Sequence, residues 1–192
     1  NIKQDNPMKK IEFFYDIVSP YSYIAATQMA QFEGKADVVW RPVLLGGIFK
    51  ATGNSGPAFT VAAKMPYMFK DLERLVAYYQ LPFAMPTHFP ANTVTVQRLL
   101  CAASDSERAA LTLTLYHAYW GQGKDITNVE LLTELAGAEL VAKTQDEAIK
   151  NQLKANTEEA VARGAFGAPT FFVGDDMYFG EDRLFLIHEA IQ

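Results

Sequence analysis

Ile11-Glu12-Phe13-Phe14-Tyr15-Asp16-Ile17-Val18-Ser19-Pro20-Tyr21-Ser22 is the stretch on which the reading of this chain turns. Glu12, Phe14 and Asp16 alternate with Phe13 and Tyr15, the period of two that marks a strand. From Tyr23 to Phe32 the pattern turns helical. Ser19 stands at or just before the start of that helix. A serine there has a plain role as an N-cap, its oxygen accepting a backbone N–H. The same location favours an anion, because unpaired N–H groups and the helix dipole converge on it. A hydroxyl donor beside them adds to that preference.

Outward from this stretch, Asp37-Val38-Val39-Trp40-Arg41-Pro42 reads as a second strand ended by its proline. Strand, helix and strand at this spacing form a parallel βαβ unit with a right-handed crossover. From about Lys50 to Arg163 no stretch reads as a strand. Three capping boxes predict helix starts there: Ser104-x-x-Glu107, Thr127-x-x-Glu130 and Thr144-x-x-Glu147. Leu111, Leu115 and Ala118 fit one helix face, and Leu131, Leu132 and Leu135 another. Gly121-Gln122-Gly123 separates the first two of these helices. Leu81 to Pro90 holds three prolines and is not helical throughout. Strands return at Pro169 to Val173 and Met177 to Phe179, flanking the turn Gly174-Asp175-Asp176. Asp182 to Ile191 closes the chain as a helix.

A chain of 192 residues buries a good core without metals or disulfides. Aromatic residues make up 12%, enough to wall an apolar pocket. The net charge is −5 and no run of Lys or Arg marks a nucleic-acid footprint. No apolar stretch approaches the ~18 residues of a membrane span. Asn1 to Pro7 are polar and unlike a signal peptide, and Met8 is the expected natural start. Cys101 is the one cysteine, so no internal disulfide forms, and a cytoplasmic location is expected. It sits among Leu and Ala and reads as an inert thiol. His88, His117 and His188 have no metal-ligand spacing, so no metal is expected.

Five blocks in order carry a resemblance over nearly the whole chain. They are Phe14-Tyr15-Asp16-x-x-Ser19-Pro20-Tyr21-Ser22, Arg41-Pro42-x-Leu44-Leu45-Gly46-Gly47-Ile48-Phe49-Lys50-x-x-Gly53-Asn54, Lys64-x-x-Tyr67-Met68-x-x-Asp71-Leu72, Gly164-Ala165-Phe166-Gly167-Ala168-Pro169 and Phe179-Gly180-x-Asp182-Arg183. Together they resemble the kappa-class glutathione transferases and, equally, the bacterial 2-hydroxychromene-2-carboxylate isomerases of the same superfamily. The implied fold is α/β: a thioredoxin-like domain, residues 8–50 and 164–192, interrupted by an all-helical insertion, residues 51–163. Ser19 and Ser22 stand where a thioredoxin-like site carries Cys-x-x-Cys. Without a protein thiolate the site cannot exchange disulfides. A sulfur must then arrive with a cofactor, and the resemblance names glutathione.

The resemblance also implies roles. Ser19 is the catalytic residue, donating a hydrogen bond to the glutathione sulfur rather than attacking. Pro20 and Tyr21 flank it at the cofactor. Ala168-Pro169 is implied to be cis and to offer backbone groups to the cysteinyl part. Glu181 and Asp182 open the last helix near the γ-glutamyl group. Many kappa enzymes have Ser where this chain has Glu181, which removes a hydroxyl donor and adds a negative charge. Asn54 and Lys64 reach for the glycyl end. Tyr67, Phe89, Asn92 and Trp120 are candidates for the second substrate's pocket, although on residue type the aromatics also read as core. The implied reaction is isomerisation of an aromatic-degradation intermediate by thiolate addition, rotation and thiol release. A kappa-like transferase or peroxidase acting on a small electrophile is the alternative, and a non-catalytic binding domain a third reading. A homodimer is implied by the resemblance alone.

Overall fold

Lys10–Tyr15 forms the inner strand β1 of a four-stranded sheet with order β2-β1-β3-β4. The computed structural model describes residues 7–192; the reading of Asn1 to Pro7 as a stretch before the natural start lies almost wholly outside them. β2 (Asp37–Pro42) runs parallel to β1, with Ile11 opposite Val38 and Phe13 opposite Trp40. β3 (Thr170–Val173) is antiparallel to β1, with Phe13 opposite Phe171. β4 (Asp176–Phe179) closes a hairpin on β3 through the Gly174-Asp175 turn. Gly174 sits at φ 58°, a backbone conformation that glycine takes without steric cost.

The alternation in β1 sorts its side chains onto two faces. Ile11, Phe13 and Tyr15 enter the larger core with Phe171 and Val173. Phe14 enters a smaller one with Phe172 and Val43. Helix α1 (Pro20–Gln28) follows β1 and buries Tyr23, Ile24, Ala25 and Ala26 against the larger core. Its continuation, Met29–Phe32, tightens into a 3-10 turn. On the opposite face lies α2 (Leu45–Thr52), which contributes Ile48 to the smaller core.

The segment 53–163 is helical: α3 (Pro57–Thr60), α4 (Lys64–Tyr78), α5 (Val94–Ala102), α6 (Asp105–Tyr116), α7 (Val129–Ala136), α8 (Ala138–Lys143) and α9 (Glu147–Ala162). Residues 81–93 carry no helix, and Phe89-Pro90 is cis. The turn His117–Gly121 winds as a π-helix and directs Tyr119 and Trp120 inward. Although α9 falls within residues 51–163, it covers the sheet: Ala160 joins the smaller core, and the Asn156 amide donates to Pro42 C=O at 3.0 Å. A 3-10 turn, Glu181–Arg183, leads into α10 (Leu184–Ala190).

The capping boxes locate helix starts to within two residues but not by the predicted bonds. Ser104 does cap α6 by position, yet its hydroxyl meets Ser106 rather than a backbone N–H. Asn128, not Thr127, caps α7, accepting from the N–H groups of Glu130 and Leu131. Asp146, not Thr144, precedes α9, and Thr144 ends α8. Only at α7 does a neighbouring side chain, Asn128, take the backbone donors instead.

Candidate functional site

Ser19 closes the turn from β1 into α1 with extended backbone, φ −84° and ψ 115°. Its Oγ accepts the Ser22 N–H at 3.1 Å, a helix N-cap. Pro20 takes the first helical position, where its missing N–H costs nothing. The Ser19 hydroxyl proton points the other way and donates to Ala168 C=O at 3.2 Å. The cap uses a lone pair and not the proton, so a bound anion competes only with Ala168 C=O for that proton and capping is unaffected. Ala168-Pro169 is cis, as the resemblance implied, and Pro169 C=O accepts the Gly180 N–H at 3.0 Å.

The backbone preceding Ser19 is pinned by side chains from the helical segment. Tyr116 OH donates to Asp16 C=O at 2.9 Å. Trp120 Nε1 donates to Ile17 C=O at 2.9 Å. Gln97 Oε1 accepts the Ile17 N–H at 3.2 Å, while its Nε2 donates to the carbonyls of Tyr15 and Val43 at 3.0 and 2.8 Å. Every polar group of the buried Gln97 amide is therefore engaged, as a buried amide requires. The Asp16 carboxylate accepts from Val18 N–H at 3.0 Å, Leu45 N–H at 2.8 Å and Thr93 Oγ1 at 2.8 Å. Burial pushes its carboxyl up to about 6 against the pull of those three bonds. The sequence reading assigned no role to Asp16, Thr93, Gln97 or Tyr116. The available signal was Gln97 within an otherwise apolar stretch of α5.

A cavity of about 800 Å³ opens in front of Ser19. Ser19, Pro20, Tyr21 and Ala168 form one wall, and the start of α2 from Leu44 to Phe49 forms another. Lys64, Tyr67 and Met68 of α4 and residues 89–94 complete it, with Phe59 at the end. The site reading thus finds Ser19, Pro20, Tyr21, Lys64, Tyr67, Phe89, Asn92 and Ala168 together. Trp120 is corrected: it is wholly buried and lies behind the wall, its ring 5.3 Å from that of Phe89. Its indole N–H is committed to Ile17, which is why it faces the core and not the cavity.

Asn54 also stands outside the cavity lining. Its amide donates to Phe166 C=O at 2.8 Å and its Oδ1 accepts the Gly56 N–H at 3.1 Å. It ties the connector to the segment before β3. Pro169 is buried behind Ala168. Glu181 and Asp182, like Asn54, stand outside the cavity lining, and Glu181 is close enough to Asp71 of α4 to feel its charge. Tyr21 OH donates to Asp71 Oδ2 at 2.7 Å. Burial, then the charges of Asp182 and Asp71, push Glu181 up to about 7 despite Arg183. Arg183 itself pairs with Asp182 at 2.9 Å. Acidic groups thus outnumber the one nearby cation, Arg183, around Glu181.

The arrangement lacks a reactive protein thiol. Cys101 lies on α5, buried, with its thiol pushed up to about 11 by burial. What remains is an apolar cavity with a hydroxyl donor and a helix N-terminus at one end and a lysine on its wall. It can hold a small anion at Ser19 and an apolar or aromatic body beyond it.

A family model described as a DSBA-like thioredoxin domain matches residues 10–192. Glutathione S-transferase kappa 2 of Caenorhabditis elegans is 31% identical, with 92% of this chain and 88% of that protein aligned. The 2-hydroxychromene-2-carboxylate isomerase of Sphingobium xenophagum is also 31% identical, with 92% and 94% aligned. A solved structure of a 2-hydroxychromene-2-carboxylate isomerase superposes with a TM-score of 0.84 at 27% identity, covering 94% of this chain and 93% of that one. The chain belongs to the DSBA-like thioredoxin domain family, among the enzymes that include the kappa-class glutathione transferases and the 2-hydroxychromene-2-carboxylate isomerases.

Proposed function

We propose that this protein is a glutathione-dependent isomerase acting on an aromatic-degradation intermediate of the 2-hydroxychromene-2-carboxylate type. The observation that carries the reading is the Ser19 hydroxyl at a helix N-terminus, bonded to Ala168 C=O on the wall of an apolar cavity that has no protein thiol of its own. When bound, glutathione supplies a thiolate that adds to the substrate, permits rotation about the former double bond and leaves again. The protein's part is to hold that sulfur's charge with the Ser19 hydroxyl and the first N–H groups of α1. Lys64 meets a carboxylate of the tripeptide, and the corner of Asp71, Glu181 and Asp182 meets its ammonium. The apolar walls exclude water from the reacting carbon.

The cavity, about 800 Å³, lies toward the upper end of the roughly 300–1,000 Å³ span of small-molecule sites. The test is stoichiometry. With glutathione far below the substrate concentration, an isomerase completes many turnovers per glutathione. A transferase stops after one, with all thiol consumed as conjugate. The second outcome would replace this reading with the kappa-like one.

Asn92 gives a sharper expectation. Its Oδ1 accepts the Val94 N–H at 3.1 Å, which leaves its NH2 group for the cavity. Asn92→Ala should lower turnover of the aromatic acid while glutathione affinity, read by calorimetry, stays nearly unchanged. Collapse of glutathione affinity with aromatic turnover intact would assign Asn92 to the cofactor instead.

A further inference from the structure

Asp16 is the one carboxylate among the buried described residues, 1% exposed, and it lines the cavity. Two backbone N–H groups and the Thr93 hydroxyl hold it, and among the described residues no cation pairs with it. A buried carboxylate without a counter-ion is costly. It places a negative charge at the edge of a largely apolar space. Thr93 lines the same cavity and has a hydroxyl, which both donates and accepts. Thr93 therefore connects the cavity to the carboxylate.

A thiol that ionises at Ser19 would put a second negative charge into this space. Two acids so placed share one proton rather than both ionising. The departing proton also needs an acceptor. Besides Asp16, the titratable groups in the lining are Tyr21, Lys64 and Tyr67. None of these is a carboxylate, and burial pushes the Tyr21 phenol up. The groups that face Asp16 from the packed elements are the phenols of Tyr15, Tyr116 and Tyr119, all pushed up by burial and hence neutral.

We propose that Asp16, acting through the Thr93 hydroxyl, takes up the proton released when a thiol ionises at Ser19. The inference rests on the glutathione reading above. The S–H bond breaks and its electron pair stays on sulfur. The proton joins Thr93 Oγ1 as that hydroxyl's own proton passes to Asp16 Oδ1. The negative charge enters the step on carboxylate and ends it on sulfur, so the charge in the cavity is constant. The Asp16–Thr93 hydrogen bond reverses direction, which a hydroxyl accommodates by rotating. Burial already holds Asp16 near about 6, so proton uptake is within reach at working pH. When the thiol is released, the proton returns by the same path.

Calorimetry of glutathione binding in buffers of different ionisation enthalpy counts the protons exchanged. At slightly alkaline pH the wild-type protein is expected to form thiolate, read by ultraviolet absorbance, with almost no net proton release. Asp16→Asn is expected to release about one proton per thiolate formed, because the internal acceptor is gone. Thr93→Val should keep the wild-type proton count but slow thiolate formation in stopped-flow mixing by on the order of a hundredfold. Thr93→Ser should restore it. A merely structural role would lower affinity or melting temperature and leave the count and the Val/Ser contrast unmoved. Release of about one proton by the wild type overturns the proposal without any variant. If Asp16→Asn does not fold, the Thr93 pair decides, and equal rates in Val and Ser overturn the proposed path. Absence of glutathione binding overturns the cofactor reading and this proposal with it. Thiolate binding with proton release overturns the acceptor alone.

Discussion

Ser19→Ala is expected to lower turnover by roughly ten- to hundredfold, the rate equivalent of losing one hydrogen bond to a charged partner, about 1.5–3 kcal/mol. The same change removes the N-cap on Ser22 N–H, which costs about 0.5–2 kcal/mol of stability. The two losses can be separated. Ser19→Asp keeps a capping oxygen, so its melting temperature should stay near wild type. Its carboxylate would repel a thiolate, so its turnover should fall at least as far as in the alanine variant. Ser22→Ala should change turnover little, because Ser22 contributes its backbone N–H to the cap and alanine keeps it. Steady-state rates and thermal melts of the three variants check this. Equal losses of turnover at Ser19 and Ser22 would mean that the wrong hydroxyl has been assigned.

Trp120→Ala should be the most destabilising of the substitutions considered. The side chain is wholly buried, stacked on Phe83 at 6.1 Å and set edge-on to Phe89 and Tyr119. Truncating a core tryptophan costs about 3–5 kcal/mol. At about 2–4 °C per kcal/mol for a chain of this size, melting falls by roughly 6–20 °C. The Ile17 carbonyl, two residues before Ser19, also loses its donor. Trp120→Phe keeps most of the volume and loses only that bond, so it should cost about 1–3 kcal/mol. Because Trp120 lies behind the cavity wall, the phenylalanine variant should leave the second substrate's KM unchanged. A raised KM in a normally folded Trp120→Phe protein would return Trp120 to the pocket.

The parts of the fold that were legible from sequence depend on local periodicity. Alternation in residues 12–16 located β1, the apolar run 37–42 ended by Pro42 located β2, and the Gly174 turn located the last hairpin. Helix ends were less legible. Asn128 takes the N–H groups that Thr127 was expected to cap, and Asp146 rather than Thr144 holds the N-cap position of α9, with nothing in the pattern to rank them. In the site, Ser19 and Ala168 were legible because motif and element boundary coincide, whereas Lys64, carried by the resemblance alone, opens a helix that no boundary signal marked. Gln97 was not, since its partners lie 82 and 54 residues away at Tyr15 and Val43. Asp16 stood inside a recognised block, but its significance depends on being buried without a cation, a property of the assembled core. Trp120 fitted a wall on residue type, and only the direction of its indole N–H excludes it.

The central claim is that glutathione binds with its sulfur ionised at the head of α1. The direct measurement is titration of the thiolate absorbance of glutathione bound to the wild-type protein, against free glutathione under the same conditions. An apparent thiol pKa clearly below that of the free tripeptide is the predicted result. An unshifted titration, or no binding at millimolar glutathione, would contradict the account.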